Sequence, residues 1–255
     1  MHIVRMIPVI ALLSVVVLAC QKVEILPPGP NGPSRGEGLP GNPGNVGGED
    51  DGDNVLTGFV CRLVDLRRPT SCAQLQDMGA IPVTVRGGQG PVLTAADGSF
   101  SIDVGLADSI TLEVATATPD FVATVLPLRR ADGIDGVIVP IVAQAHLDLL
   151  VDTLLVPLAQ ETGILATYST LGGDPISGVV IDGISFSGGI FYNIGGPFDW
   201  IEADSTGDVG AALVFGVSPP TTEFIAGDII DGTIVNVNDV PVSADAITFV
   251  AVSFD

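Results

Sequence analysis

Basic side chains are scarce in this 255-residue chain, which has nine Lys and Arg residues against thirty Asp and Glu residues and a formal net charge of −21. Such a surface would repel phosphate groups, so nucleic acid is excluded as a partner. The shortage is uneven, because residues 131–255 contain seventeen acids and no Lys or Arg. This pattern indicates either a body that points away from anionic lipid headgroups or an adaptation to a salty habitat.

Side chains that carry catalysis are also scarce. Beyond the first residues the only histidine is His146, in a predicted helix, and the sequence has no G-x-S-x-G elbow to accompany it. The D-S-T-G sequence at 204–207 differs by one inserted residue from the Asp-Thr-Gly loop of aspartic proteases, and it has no partner loop. No glycine-rich turn precedes a helix that could hold phosphate. We therefore expect that the chain is not an enzyme.

Aromatic residues make up only 5% of the chain, whereas apolar residues make up 47% and there are 32 glycines and 19 prolines. The apolar content supplies a packed core and excludes wholesale disorder. The few aromatics and many turn-forming residues favour turn-rich β structure over a helical bundle.

Long hydrophobic runs are absent except near the N-terminus, where an apolar stretch over residues 7–18 follows Arg5. This stretch is too short for a membrane-spanning helix, and it is typical of a cleaved signal peptide over residues 1–19. Its ending, V-L-A-C at 17–20, resembles a bacterial lipobox. The alternative is an ordinary secretory signal followed by a chance cysteine.

The lipobox resemblance implies a bacterial lipoprotein in which Cys20 is acylated and becomes the new N-terminus. Two or three acyl chains on one residue anchor a protein stably, so membrane lipid is the first expected partner. Gln21 follows the cysteine, which implies the outer-membrane sorting of Gram-negative lipoproteins. The expected location is the cell envelope, with the folded part either on the cell surface or in the periplasm.

Only three cysteines are present. With Cys20 acylated, Cys61 and Cys72 remain as an even pair, as an oxidising compartment favours. If bridged, they close a loop of about a dozen residues and stabilise the fold by about 2–3 kcal/mol. A metal site is disfavoured because no histidine lies near them in the sequence.

Residues 20–54 are predicted to form a disordered tether rich in glycine and proline. From Gly29 to Gly47 the glycines keep a three-residue phase that is broken once, at Arg35. The phase resembles collagen, but so few triplets do not hold a stable trimer. An extended tether that reaches up to about 100 Å is therefore the preferred interpretation.

Short alternating apolar runs over residues 55–142 predict seven strands and a β-sandwich. Asp97-Gly98 is a strong signal for a two-residue hairpin. The T-A-A-D-G-S-F-S-I sequence at 94–102, together with Gly58 in the first strand, resembles the bacterial carboxypeptidase-regulatory-like domain. The resemblance implies a Greek-key sandwich of the transthyretin (prealbumin) type, which is non-catalytic and often decorates secreted or surface proteins.

A short linking helix is predicted in residues 143–163, because turn signals are absent there until Pro157. Residues 164–255 again show strand-like runs, among them one over residues 229–237, and they predict a second, acidic β-sandwich. This half only loosely echoes the first, so whether it belongs to the same family stays open. The expected fold class is all-β, with two small sandwiches joined by the helix.

Two groups of residues in the second half are candidate binding sites. Phe191, Tyr192 and Trp200 either form a platform that stacks sugar rings or belong to the core. Asp204 and Asp208 either supply oxygen ligands to Ca²⁺ or are solvated turn acids. No other cofactor is expected.

These observations favour a non-catalytic, lipid-anchored envelope lipoprotein with a structural or adhesion and recognition role. Its expected partner is an envelope protein or a glycan. The alternative is a glycan-binding or calcium-dependent surface-binding module.

Overall fold

Sixteen strands and one α-helix are found in residues 54–72, 78–115, 120–157 and 161–254, the ranges that this computed structural model describes. The predicted signal peptide, Cys20 and almost all of the tether lie outside these ranges. The described residues confirm the all-β expectation, since the strands form extended sheets packed around apolar cores.

The first half of the described chain contains seven strands. Strands β2 and β4 alternate buried and more exposed residues, as expected when one face of a strand packs on a core. The parallel pair β1–β7 and the antiparallel pair β1–β4 enclose one core together with the β3-β2-β5-β6 sheet. The bounds are β1 (Val55–Arg62), β2 (Pro82–Val85), β3 (Val92–Leu93), β4 (Ser99–Asp103), β5 (Ser109–Val114), β6 (Phe121–Arg129) and β7 (Val137–Ala143).

The predicted hairpin at Asp97-Gly98 is only half right. The tight turn forms, with Gly98 at φ +83° and the Ala95 N–H bonded to the Ser99 carbonyl. However, β3 pairs with β2 and β4 pairs with β1. The turn therefore passes the chain from the β2 pairing to the β1 pairing. Gly98 packs closely against β1, since a Cβ there would be 2.4 Å from the Val60 carbonyl oxygen.

The short helix expected in residues 143–163 is α1 (Gln144–Leu154). It buries Leu147 and Leu150, which lie on one face at a spacing of three residues. The helix ends at Leu155, whose backbone is left-handed, and Pro157 follows. Among the described residues no helix has the length and apolar character needed to cross a bilayer.

The second half contains nine strands in two facing sheets. Strands in the order β12-β11-β13-β8-β16 form the larger sheet, and β10-β14-β15 form a separate three-stranded sheet. One apolar core fills the space between the two sheets, and α1 contributes to a second core on the opposite face of the larger sheet. The bounds are β8 (Gly163–Leu171), β9 (Asp174–Pro175), β10 (Val179–Asp182), β11 (Phe186–Asn193), β12 (Trp200–Ile201), β13 (Ala211–Val217), β14 (Thr221–Asp228), β15 (Ile234–Pro241) and β16 (Ala246–Ser253).

Strands β6 and β16 join the two halves. They pair in parallel, from Ala246 opposite Ala123 to Thr248 opposite Val125. The sheet is therefore continuous across the predicted boundary, and the described residues belong to one compact unit. The division into one sandwich over residues 55–142 and a second over residues 164–255 stays a prediction.

The strand predicted over residues 229–237 begins later in the structure, at Ile234. Residues 229–233 form a turn, in which Gly232 adopts φ +80° and the Asp231 carboxylate accepts a hydrogen bond from the Thr233 N–H. The apolar pair Ile229-Ile230 lies in this turn and is not part of a strand.

Candidate binding surface

The three-stranded sheet has one buried and one exposed face. Its inner face, which includes Ile181, Phe224 and Ala226, packs into the core against the larger sheet. On the outer face, cross-strand pairing aligns Val180, Gly227 and Ile234 in one row. A Cβ added at Gly227 would have no atom within 4 Å, so this face is open above the middle strand.

The edge of this sheet at β10 is closed by side chains. The Val179 N–H donates to the Thr206 hydroxyl at 3.0 Å, and the Thr206 N–H donates to the Val179 carbonyl at 3.0 Å. Two residues along, the Ile181 N–H donates to the Tyr192 hydroxyl at 3.0 Å. The backbone groups that face away from β14 are therefore hydrogen-bonded on this side.

The edge at β15 is open. The Asp228 N–H donates to the Thr233 carbonyl. Hydrogen-bonded pairs alternate along an antiparallel ladder, so the next hydrogen-bonded pairs between β14 and β15 are Ala226–Val235 and Phe224–Val237. The backbone groups of the intervening Ile234 and Asn236 then point away from β14. Within the described ranges no hydrogen bond uses those groups.

Four exposed isoleucines lie in and beside the three-stranded sheet. We call this group the isoleucine patch, and its members are between 39% and 76% exposed: Ile225, Ile229, Ile230 and Ile234. Ile229 and Ile230 lie beside Gly178, where a Cβ would be 3.2 Å from a side-chain carbon of each. Ile225 lies at the other end of β10, where a Cβ at Gly183 would be 3.6 Å from its side chain. The patch is therefore spread over the sheet, and exposed apolar residues in such number on one sheet are typical of a protein interaction surface.

Carboxylates surround the isoleucine patch, and no Lys or Arg lies anywhere in residues 131–255. Hydrogen bonds from Thr233 hold the pKa of the exposed Asp231 below its ordinary value, so this group stays ionised well into acidic solution. The field at this surface is therefore negative, and it favours a cationic partner. The acids in and beside the sheet are Asp182, Glu223, Asp228, Asp231 and Asp239.

The three aromatics predicted as a sugar platform are buried. Phe191, Tyr192 and Trp200 are each 5% exposed or less. The Phe191 ring packs edge-on against Phe215 at 5.7 Å, and the Trp200 N–H donates to the Pro197 carbonyl at 3.0 Å. An exposed stacking platform made of these three residues is therefore not formed, because strands β11 and β12 direct them into the cores.

Asp204 and Asp208 are both exposed in the loop between β12 and β13. Thr206 lies between them, is buried, and closes the β10 edge. In the described part of the chain no three His, Cys, Asp or Glu side chains are grouped closely enough to hold a metal ion. The loop therefore has a clear role in closing the sheet edge, whereas calcium binding stays a prediction.

The predicted disulfide joins Cys61, near the end of β1, to Cys72. The loop it closes packs on the second half of the chain, since Leu63 and Leu66 belong to the same core as α1 and the larger sheet. The Tyr168 hydroxyl donates to the Leu66 carbonyl, and the Arg67 guanidinium donates to the Gly195 carbonyl. The disulfide loop is thus a second connection between the two halves.

His146 lies on α1 and is partly buried against Phe198, with their ring centroids 5.7 Å apart. Burial lowers its pKa; the Asp65 carboxylate opposes this shift, while the Arg62 guanidinium adds to it. Its Nε2 atom is buried and has no hydrogen-bond partner in the described residues. This is the environment of a packing residue.

Comparison with known proteins adds little to this picture. No family and no curated protein matches the chain. Among solved structures, the Bacillus anthracis TIE protein is 9% identical with a TM-score of 0.23, and the match covers 78% of this chain and 34% of that one. The minor pilin GBS52 of Streptococcus agalactiae is 11% identical with a TM-score of 0.22, covering 78% and 94%. The shaft pilin spaA from Lactobacillus rhamnosus GG is 12% identical with a TM-score of 0.22, covering 78% and 97%.

This chain spans about a third of the Bacillus anthracis protein. At these identities and TM-scores the likeness carries no argument about fold or function. The carboxypeptidase-regulatory-like resemblance stays an expectation. Two of the residues that suggest it do meet in the structure, since Gly58 faces Phe100 across β1 and β4 and a Cβ at Gly58 would lie 2.8 Å from the phenyl ring.

Proposed function

We propose that this chain is a non-catalytic, lipid-anchored recognition protein of the bacterial cell envelope. Its acidic half presents the binding surface, and Cys20 carries the acyl chains that hold it to the outer membrane. The observation that carries the recognition role is the isoleucine patch, which lies exposed on a sheet with one open edge, in a half of the chain without any basic side chain.

The absence of catalysis in this proposal is supported by the environment of the most reactive side chain. His146 packs against Phe198, and its Nε2 atom is buried within the described part of the molecule. A general base must reach the proton that it removes, and a histidine held in this way does not face an open site. The glycan-binding alternative loses its main support, because Phe191, Tyr192 and Trp200 are buried.

The anchor is tested by metabolic labelling with radioactive palmitate in a Gram-negative host. The wild-type protein is expected to carry the label and to sediment with the outer membrane. Cys20→Ala, which removes the acylated thiol, is expected to lose both properties. Cys61→Ala serves as the matched control, since it also removes one cysteine but is expected to keep the label. Equal labelling of wild type and Cys20→Ala would refute lipid anchoring at this residue.

Display on the cell surface is tested by adding trypsin to intact cells. The tether offers Lys22 and Arg35 as cleavage sites, whereas residues 131–255 offer none. We expect release of a fragment that an antibody against residues 131–255 detects in the supernatant. Protection of the protein until the outer membrane is permeabilised would contradict surface display and would assign the recognition role to a periplasmic partner.

A further inference from the structure

We propose that the open edge of β15 binds an extended segment of a partner polypeptide as an added β-strand, and that this segment carries basic side chains. The inference rests on the proposed recognition function and specifies its partner. The added strand would lie along residues 234–237 and would extend the β10-β14-β15 sheet by one strand.

The geometry of the sheet supplies the hydrogen-bonding groups. Ile234 and Asn236 each direct an N–H and a C=O away from β14, and no described residue pairs with them. The opposite edge differs, because Thr206 and Tyr192 use side-chain and backbone groups to close it. The sheet therefore has one closed edge and one edge able to accept a strand.

The first four residues of the open edge lack the usual protection against strand addition. Native proteins protect such edges with lysine, proline or a bulge. The described residues contain no lysine, and the proline of β15 is Pro241, at its far end. An irregularity in the β14–β15 register does occur, where Asp239 adopts φ +55°. The shift takes up Asn238 and Asp239, which together oppose Glu223, so the regular stretch that stays free to pair runs from Ile234 to Val237.

Charge decides which polypeptide fits. Asp231 precedes the open stretch and Asp239 follows it, and both are exposed. A second copy of this chain would place the same acids against them, with no Lys or Arg from residues 131–255 to compensate. A strand that alternates apolar and basic residues instead places its apolar side chains beside Ile234 and its cations near the acids.

The test uses the full-length acylated protein in detergent and a fluorescein-labelled peptide of eight residues that alternates valine and lysine. Fluorescence anisotropy is expected to show saturable binding that weakens as ionic strength rises. Two control peptides are used, one that alternates valine and glutamate and one valine–lysine peptide with every backbone N–H methylated. Neither is expected to bind, because the first has the wrong charge and the second lacks the donors for strand pairing.

The variants Asn236→Pro and Asn236→Ala separate backbone pairing from side-chain contact. Proline removes the N–H that faces the open edge without removing a bond to β14, and edge strands tolerate proline in this orientation. We expect roughly tenfold weaker binding for Asn236→Pro and unchanged binding for Asn236→Ala. Trp200 fluorescence reports whether each variant is folded. If Asn236→Pro fails to fold, the methylated peptide alone decides the question.

Several results would overturn the proposal. Equal binding by the methylated peptide or by a folded Asn236→Pro protein would show that no strand is added at this edge. Equal binding of the valine–glutamate peptide would refute the basic partner. A dimer in sedimentation that Asn236→Pro dissociates would show that a second copy occupies the edge. None of these results alters the palmitate or trypsin outcomes, so failure of strand addition is distinguishable from failure of the proposed function.

Discussion

The disulfide between Cys61 and Cys72 is expected to be a main source of stability, and its replacement tests how the two halves are held together. The cysteines are 11 residues apart. Closing a loop of this length lowers the entropy of the unfolded chain by about 9 cal/mol/K, which corresponds to about 3 kcal/mol at 25 °C. We therefore expect the Cys61→Ala/Cys72→Ala double variant to lose about 3 kcal/mol in the free energy of unfolding.

The structure shows which region the disulfide loop stabilises. The disulfide loop inserts Leu66, which is 1% exposed, into the core shared with α1 and the larger sheet. The chain has a single tryptophan, Trp200, and this residue lies in that same core. Trp200 emission during urea unfolding therefore reports on the region that the loop stabilises. A loss of about 3 kcal/mol corresponds to a decrease in Tm of about 10 °C for a chain of this size.

Cys20→Ala is the matched control, because it also removes a cysteine but lies far from the loop in sequence. It is expected to unfold at the wild-type urea concentration. A double variant that unfolds within about 1 kcal/mol of wild type, in the same assay, would refute the loop-closure argument. Addition of a reducing agent to the wild-type protein should reproduce the double variant if the effect arises from the bridge itself.

Three further predictions concern single residues. Tyr168→Phe removes the hydroxyl that donates to the Leu66 carbonyl, so we expect a loss of about 1–3 kcal/mol in urea unfolding, since a buried acceptor is left unpaired. The pKa of His146 is lowered in the folded state, so the unfolded state takes up this proton first as the pH falls. The free energy of unfolding is therefore expected to decrease below about pH 6.5. The decrease is expected to be smaller in His146→Gln, which has no imidazole to titrate. Gly58→Ala places a Cβ 2.3 Å from the Val137 carbonyl, so we expect a loss of at least about 1–3 kcal/mol, measured as a lower Tm.

Each of these predictions has a result that would contradict it. A Tyr168→Phe protein as stable as wild type would show that the Leu66 carbonyl has another donor or reaches water. An identical dependence on pH in His146→Gln would assign the titration to other groups. Wild-type stability in Gly58→Ala would show that β1 and β7 separate at little cost.

The strand pattern was largely predictable because it depends on neighbouring residues. Alternation in β2 and β4 follows from the pleat, and the helix end before Pro157 follows from local backbone chemistry. The disulfide could also be predicted, because an even pair of cysteines in an exported chain favours a bridge. The predicted strand over residues 229–237 was wrong at its start, where Asp231-Gly232 forms a turn despite the apolar residues before it.

Partners distant in sequence were not predictable from local patterns. Nothing in the sequence of β6 indicates that it pairs with β16, more than a hundred residues later. Likewise, the apolar and aromatic character of Tyr192 and Trp200 suits both a platform and a core, and only the packing of the sheets selects the core.

The open edge is a tertiary property as well, because a strand becomes an edge only through the arrangement of its neighbours. The sequence around β15 does contain a signal, an I-V-N-V-N alternation without lysine that follows the exposed pair Ile229-Ile230. The acidic composition already indicated a negative surface. The structure adds that this charge lies in and beside a sheet that carries exposed isoleucines and one unpaired strand edge.

Amide hydrogen exchange tests the central claim most directly, that one edge of the three-stranded sheet is closed and the other is open. In the free protein the Ile234 and Asn236 amides are expected to exchange rapidly, while the Val179 and Ile181 amides at the closed edge are protected. Addition of the valine–lysine peptide should slow exchange at Ile234 and Asn236. Protection of these two amides in the free protein, or no change on adding the peptide, would contradict the account.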